Sequence, residues 1–220
     1  YAGTDNSTEG CEVWRLEEAV EYPYARYFAE GSTGSEWYGG FETWITVANP
    51  GEGTATVALT YLTPEGEVEG PSMDLGAGKR WTVDVADTVP GEWSVATAVE
   101  STAPVVAERS TYWSAVWDGE DDTYAYRRSA HASIGTPGTA NRWCFAEGST
   151  GSDDRGSFET WITVANPGEQ TATVALTYLT PEGEVEGPSM ELDAGKRCTV
   201  NVGDTVPEEW SVATVVQSTA

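Results

Sequence analysis

The sequence predicts an all-β protein, in which two tandem immunoglobulin-like antiparallel β-sandwich modules follow an extended N-terminal segment. Three observations support this fold class. Apolar and polar residues alternate along several short segments, turns rich in Pro and Gly separate those segments, and a long stretch of the chain occurs twice. Alternation is typical of strands that bury one face, and regularly spaced short strands are typical of a sandwich.

The repeat defines the predicted domain organisation. The phrase FAEGSTGS begins at Phe28 and again at Phe145, an offset of 117 residues, and residues 41–103 differ from residues 158–220 at only nine of 63 positions. Module 2 lacks a counterpart of the last predicted strand of module 1, PVVAERSTYW at residues 104–113. We therefore divide the chain into an N-terminal extension, module 1, a connecting segment and module 2, at residues 1–27, 28–113, 114–144 and 145–220.

Period-two alternation marks four strands in module 1, and the same pattern recurs in module 2. The residues expected to face the core are Phe41, Thr43, Ile45 and Val47; Ala55, Val57, Leu59 and Tyr61; Trp81, Val83 and Val85; and Trp93, Val95, Thr97 and Val99. The turn sequences NPGEG, TPEG and GAGK separate these strands, because Pro fixes φ at the first turn position and Gly supplies positive φ. Each strand therefore has one predicted buried face.

Several phrases resemble a largely uncharacterised tandem repeat of secreted or cell-surface proteins of bacteria and archaea. These phrases are FAEGSTG, FETWITVANPG, VVAERSTYW, and HASIG at residues 131–135, and the resemblance covers residues 28–220. It implies an extracellular β-sandwich module and carries no catalytic assignment.

The charge balance restricts the classes of partner. Thirty-six acidic residues against 11 basic ones give a net charge of -25. Nucleic acid is excluded as a partner, since its phosphates require clusters of Lys and Arg. No apolar run approaches the ~20 residues of a membrane-spanning helix, so no membrane insertion is expected. The acidic surface is expected to keep copies soluble and mutually repelling.

The beginning of the sequence favours a secreted protein, located outside the cell or on its surface. Tyr1 rather than Met is the first residue, as in a processed protein. Asn6 begins the only Asn-x-Ser/Thr sequon and is a glycosylation candidate if the host glycosylates secreted proteins.

The sequence offers no combination of residues typical of an enzyme. His131 is the only histidine, and it has no counterpart in the second copy, so we expect neither a histidine-containing triad nor a histidine metal cluster. Glu30 with Glu42 recurs as Glu147 with Glu159, so a glycosidase-like carboxylate pair is present by residue type. Because the pair recurs in both modules, hydrogen bonding in turns and at strand ends is the favoured interpretation. We expect no catalytic activity.

The run WDGEDDTY at residues 117–124 is a weak candidate for a calcium site. Asp118, Glu120, Asp121 and Asp122 offer the hard oxygen ligands that calcium prefers. The run lacks the spacing of a helix-loop-helix calcium loop, so a solvated acidic loop is favoured. No other cofactor is expected.

The three cysteines raise a question of pairing. Cys144 takes the place of Tyr27, and Cys198 takes the place of Trp81. If these positions are neighbours, a disulfide replaces an aromatic contact, closing a loop of about 55 residues and stabilising the fold by about 4 kcal/mol. Cys11 is then free or bonded to another molecule. The alternative is a disulfide from Cys11 to Cys198 between subunits.

The N-terminal extension contains a candidate for the strand that module 2 lacks. The segment CEVWR, with Cys11, Val13, Trp14 and Arg15, resembles VVAER when Arg15 is placed under Arg109. A sandwich without a strand exposes an edge that other chains can pair with. Insertion within one chain gives a monomer, whereas insertion into a neighbour is head to tail and gives a filament.

We therefore predict that the protein is a structural, pilus-like subunit of an extracellular filament. The filament is a homopolymer, in which the N-terminal strand of each copy completes module 2 of the next copy. One alternative is a segment of a cell-surface array or adhesin stalk. Another is a carbohydrate-binding module, in which Trp44 and Trp161 stack on sugar rings.

Overall fold

The computed structural model describes residues 2–6, 10–14, 21–36, 39–115, 127–154 and 156–220. Within these ranges the regular elements are β-strands and two short 3₁₀ turns, and neighbouring strands in the sheets are antiparallel. The prediction of an all-β fold is confirmed.

The strands fall into an N-terminal hairpin and two groups that follow the sequence repeat. The hairpin consists of β1 (Ala2–Asn6) and β2 (Gly10–Trp14). The strands of the first copy are β3 (Tyr24–Phe28), β4 (Ser35–Glu36), β5 (Gly39–Ala48), β6 (Ala55–Leu62), β7 (Glu67–Leu75), β8 (Arg80–Asp84), β9 (Ala96–Ser101), β10 (Val106–Ala115) and β11 (Arg127–Ile134). Those of the second copy are β12 (Arg142–Phe145), β13 (Ser152–Asp153), β14 (Gly156–Ser157), β15 (Trp161–Ala165), β16 (Ala172–Thr180), β17 (Gly183–Leu192), β18 (Arg197–Asn201) and β19 (Ala213–Ser218). The 3₁₀ turns are Val85–Asp87 and Val202–Asp204.

The first copy has two sheets around one hydrophobic core. One sheet has the order β3-β9-β6-β7. The other has the order β11-β10-β5, and β4 and β8 also pair with β5. The predicted alternation is confirmed in β6, where Ala55, Val57, Leu59 and Tyr61 are all buried. These sheets pack their apolar faces together, as in a β-sandwich.

One residue that the alternation assigns to the core lies outside it. Trp93 lies before β9 and is 47% exposed, so it does not continue the buried row of Val95, Thr97 and Val99. Its ring instead packs edge-on against Phe41 at a centroid distance of 5.9 Å. Alternation correctly placed Val95, Thr97 and Val99 on a buried face, but Ala96 and Ala98 on the other face of β9 are buried too, and the strand begins after Trp93.

The NPGEG turn is held by a buried amide. Asn49 is 1% exposed, and its Nδ2 donates hydrogen bonds to the carbonyl oxygens of Gly53 at 2.7 Å and Leu75 at 2.8 Å. Its Oδ1 accepts a hydrogen bond from the backbone N–H of Gly51 at 2.9 Å. Asn166 makes the corresponding bonds in the second copy. The turn is therefore specified by a side chain that replaces missing backbone partners.

The second copy repeats the first sheet but only part of the other. Its four-stranded sheet has the order β12-β19-β16-β17, the counterpart of β3-β9-β6-β7. Facing it are the pair β15-β18 and the short hairpin β13-β14. A second hydrophobic core, separate from the first, contains Ile162, Val174, Leu176, Tyr178 and Val202.

Candidate assembly surfaces

The edge of β15 differs from the corresponding edge in the first copy. There, β5 pairs with β10 over its whole length, from Gly39 to Ala48. The corresponding residues of the second copy, 156–165, are divided between β14 and β15, and residues 158–160 lie in no strand. Within the described part of the chain, β15 pairs with β18 alone. The ladder that keeps β5 continuous is thus lacking on this side of β15.

Large apolar side chains are exposed around this edge. Phe158 is 59% exposed and Trp161 is 52% exposed, whereas their counterparts Phe41 and Trp44 are half-buried. Together they form an apolar surface along an unpaired strand, the combination that other strands recognise.

A cluster of three polar residues joins β10 and β11 to the segment after β3. Arg109 is 2% exposed, and its Nη1 lies 2.5 Å from Oε2 of Glu30 and donates to the backbone carbonyl of Glu30 at 2.9 Å. His131 Nε2 lies 3.0 Å from Oε1 of Glu30, and its Nδ1 lies 3.0 Å from Nη2 of Arg109. The ring of Trp113 packs edge-on against His131. This cluster gives His131 a structural role.

The cluster changes the acidity of its carboxyl group. Burial raises the pKa of Glu30, but the positive charge and hydrogen bonds of Arg109, aided by His131, more than offset this and lower the pKa below its ordinary value of 4.5. The counterpart of Glu30 is Glu147, which is exposed and makes no ion pair with any described residue. The sequence signal for this cluster was an arginine at a core-facing position of an alternating strand.

The two copies contact each other through a small apolar cluster. Leu62, Ala96 and Ala98 are at most 5% exposed, and Tyr27 and Ala165 pack against them. Four of these residues belong to the first copy, and Ala165 lies at the end of β15 in the second. The cluster is distinct from the two cores, so it joins the copies rather than filling either one.

Polar contacts surround this cluster, and Arg197 makes most of them. Its backbone N–H donates to the carbonyl of Thr63 at 3.3 Å, and its Nη2 donates to the carbonyl of Ala29 at 3.1 Å. Arg197 is 3% exposed, whereas its counterpart Arg80 is exposed. The same residue at the same strand position is therefore buried in the second copy because the first copy covers it.

The counterpart of the covered surface lies open in the first copy as a groove. It has a volume of about 590 Å³ and runs over the outer face of β8, β5 and β10. Its lining includes Trp44 and Tyr112 at one end and Ala48 and Arg80 at the other. Trp44 Nε1 donates to Oε2 of Glu42 at 3.4 Å, and Trp161 repeats this bond with Glu159 at 3.2 Å.

The predicted donor strand lies in a hairpin. Residues Cys11, Val13 and Trp14 belong to β2, which pairs with β1 in the register Ala2↔Trp14. Asn6 is the last residue of β1. Arg15 lies outside the described residues, as do Asp118, Glu120, Asp121 and Asp122, so the proposed calcium ligands remain a prediction. The assignment of this segment as a donor strand stays a prediction, and its pairing with β1 was not predicted from the sequence.

The structure describes the side chains of two cysteines, Cys144 and Cys198, and no disulfide joins them. Cys144 and Cys198 are free thiols in different sheets. Cys144 is exposed on β12, whereas Cys198 is half-buried against the second core, with Sγ 3.5 Å from the sulfur of Met190. Burial raises the pKa of the Cys198 thiol, and Arg197 acts in the opposite direction. The predicted pairings, including those of Cys11, remain predictions.

The described residues do not support a metal site or a membrane-spanning helix. They contain no group of three or more His, Cys, Asp or Glu side chains arranged to hold a metal ion. They also contain no helix long and apolar enough to cross a membrane.

Comparison with known proteins gives little further information. No protein-family model matches the sequence, and no curated protein matches it. Among solved structures, the crystal structure of Thermotoga maritima 1070 is similar at a TM-score of 0.40 and 19% sequence identity, over 55% of this chain and 100% of that chain. Likeness at this level carries no argument about function.

Proposed function

We propose that the chain is a structural subunit of an extracellular filament, built of two immunoglobulin-like β-sandwich modules that correspond to the two copies. Copies of the chain join head to tail. The observation that carries this proposal is the edge of β15, which lacks the partner that β10 gives to β5 and is lined by exposed aromatic side chains. Such an edge favours the addition of a strand from another chain. The strongly acidic surface, with net charge -25, is consistent with an exposed extracellular protein.

The N-terminal hairpin is the proposed donor. Adding the repeat offset of 117 residues to Gly10–Trp14, which is β2, gives residues 127–131, and these are the first residues of β11. The hairpin β10-β11 completes the sheet of the first copy and directly precedes β12 in the chain. In the same way, β1-β2 directly precedes β3. By this correspondence, the hairpin of one molecule adds to the second copy of another, with β1 next to the open edge.

The pairing register supports this placement. Trp14 corresponds to His131, and these residues pair with Ala2 and Thr111 respectively. Ala2 therefore takes the place of Thr111. In the first copy Thr111 pairs with Thr43 of β5, and the counterpart of Thr43 in the second copy is Thr160. The added strand β1 then lies opposite residues 158–160, the gap between β14 and β15. In this register the proposed donor is the whole hairpin, and Arg15 does not take the place of Arg109 as it does in the sequence-based prediction of a single donor strand.

Deleting residues 1–20 tests the proposal. The intact chain should form filaments visible by electron microscopy and sedimenting as a concentration-dependent polymer. The deletion variant should remain monomeric with an unchanged thermal melting curve, since the removed residues precede β3. Filaments of normal length from the deletion variant would contradict the proposal, as would an intact chain that never polymerises. Filaments from longer polypeptides, with the hairpin supplied by the following segment, would instead favour a cell-surface array or stalk.

Carbohydrate binding is the second candidate function. The groove of the first copy places Trp44 and Tyr112 on the outer face of a sheet, where aromatic rings stack on sugars. A glycan array tests this, with Trp44→Ala as the variant and Trp93→Ala, outside the groove, as the matched control. Binding that Trp44→Ala abolishes and Trp93→Ala leaves intact supports the candidate. Absence of binding, or equal loss in both variants, counts against it.

A further inference from the structure

The contact between the two copies has two faces, and the repeat places a counterpart of each face on the other copy. The cap face of the first copy consists of Tyr27, Ala29, Leu62, Thr63, Ala96 and Ala98, and the seat face of the second consists of Ala165, Gly195, Lys196 and Arg197. The repeat offset gives a second cap face, with residues Cys144, Ala146, Leu179, Thr180, Ala213 and Val215. It also gives a second seat face, with Ala48, Gly78, Lys79 and Arg80. The chain thus carries an unused cap and an unused seat.

The exposed fractions of matching side chains show which faces are covered by a partner surface and which are not. Leu62 is 2% exposed on the used cap face, whereas Leu179 is 42% exposed on the unused one. On the used seat face Arg197 is buried, and on the unused one Arg80 is exposed. Because the residues are identical within each pair, the difference comes from the partner surface and not from the strand. The unused seat face lies at one end of the groove over β8 and β5.

The two cap faces differ in sequence at one cross-strand pair. Tyr27 pairs across strands with Ala98, and the corresponding pair is Cys144 with Val215. The second pair has fewer side-chain atoms than the first, but both of its members are apolar. The unused cap face therefore keeps an apolar pair at this position and places a thiol there.

The charges of the two faces are complementary. Arg197 lies near two carboxylates of the first copy. Burial lowers the pKa of its guanidinium, and Cys198, Glu30 and Glu92 oppose this shift. Beside the unused cap face the counterparts of Glu30 and Glu92 are Glu147 and Glu209. The unused seat face offers an Arg and a Lys, which are scarce in a chain with only 11 basic residues.

We infer that the unused cap face of one molecule docks on the unused seat face of the next, reproducing between molecules the contact that joins the two copies within one. The partner is a second copy of this chain. The inference rests on the proposed head-to-tail association and identifies a contact surface that is separate from the donor hairpin. Because cap and seat lie on different copies, the contact does not close on itself and propagates along a filament.

A disulfide between molecules tests this contact, because a native thiol already lies on the cap face. Ala165 and Tyr27 pack on one apolar cluster, so their counterparts Ala48 and Cys144 should meet between molecules. In a chain carrying Cys11→Ser, Ala48→Cys should give a ladder of disulfide-linked species under mild oxidation. Peptide mapping should link position 48 to Cys144.

Two controls separate a specific link from random collision. Adding Cys144→Ser should abolish the ladder. Met73→Cys, on an exposed side chain of β7 away from the groove, should give none. Two results would overturn the inference. One is a ladder of equal yield from Met73→Cys, and the other is association of Ala48→Cys molecules without a disulfide from position 48 to Cys144.

Arg80→Glu provides a second test that does not depend on disulfide geometry. It should abolish association in light scattering while leaving the melting curve unchanged, because Arg80 is exposed in the single molecule. If Arg80→Glu associates normally while deletion of residues 1–20 prevents association, the docking contact is wrong and the filament proposal stands. If the deletion variant still gives the link from position 48 to Cys144, the docking contact stands and the donor hairpin is wrong. A native chain that stays monomeric at every concentration overturns both.

Discussion

Leu62→Ala and Leu179→Ala form a matched pair of substitutions that measures how much the second copy stabilises the first. The two leucines are counterparts, but Leu62 is 2% exposed and Leu179 is 42% exposed. Full burial of a leucine contributes about 1.5–3 kcal/mol, so this difference in exposure alone corresponds to about 0.6–1.2 kcal/mol. The cavity left beside Ala96, Ala98 and Ala165 adds to the cost at Leu62, for a total of about 2–4 kcal/mol. The loss of unfolding free energy in Leu179→Ala should be smaller than that in Leu62→Ala by about 1 kcal/mol or more.

Urea denaturation followed by tryptophan fluorescence measures both costs, at protein concentrations low enough to keep the chain monomeric. Both variants should lower the midpoint of unfolding, and Leu62→Ala should lower it more than Leu179→Ala. Equal shifts for the two variants would refute the reasoning, because they would mean that Leu62 gains nothing from the contact with the second copy. A larger shift for Leu179→Ala would have the same meaning.

The structure supports four further predictions. In denaturation across a pH series, Glu30→Gln should lose less stability than the native chain as pH falls below 4.5, because the lowered pKa of Glu30 stabilises the fold above that pH and this contribution disappears through the folded pKa. Asn49→Ala should cost about 2–4 kcal/mol in urea through the loss of three hydrogen bonds, and Asn166→Ala a similar amount. Gly135→Ala should cost about 1–3 kcal/mol in the same assay, since a Cβ there would lie 2.7 Å from the ring of Phe28. In light scattering, raising salt from about 10 mM to about 150 mM should strengthen association, because the Debye length falls from about 30 to about 8 Å and copies of charge -25 repel less.

Much of the fold was predictable because strands with one buried face leave a period of two in the sequence. Val57, Leu59 and Tyr61 are buried as the alternation indicated. Trp93 was misassigned because alternation continues past the point where backbone pairing begins, and only the neighbouring strand determines that point. Local pattern therefore predicts which face of a strand is buried more reliably than where the strand starts.

The candidate surfaces were only partly predictable from the sequence. The repeat comparison indicated that residues 145–220 include no counterpart of β10, and among the described residues β15 pairs with β18 alone. It did not reveal the contact between copies, because Arg80 and Arg197 occupy identical local sequences and differ only in what covers them. The cluster of Arg109 with Glu30 and His131 joins residues far apart in sequence, so alternation could place Arg109 on the core-facing side of its strand but could not identify its partners.

The central claim is that another molecule pairs with the open edge beside β15, and amide hydrogen exchange tests it most directly. Residues 158–160 should exchange rapidly in dilute, monomeric protein and become protected when the chain polymerises, while their counterparts 41–43, already paired with β10, should change little. The deletion of residues 1–20 should leave residues 158–160 unprotected at every concentration. Polymers in which these residues exchange as fast as in the monomer would contradict the claim.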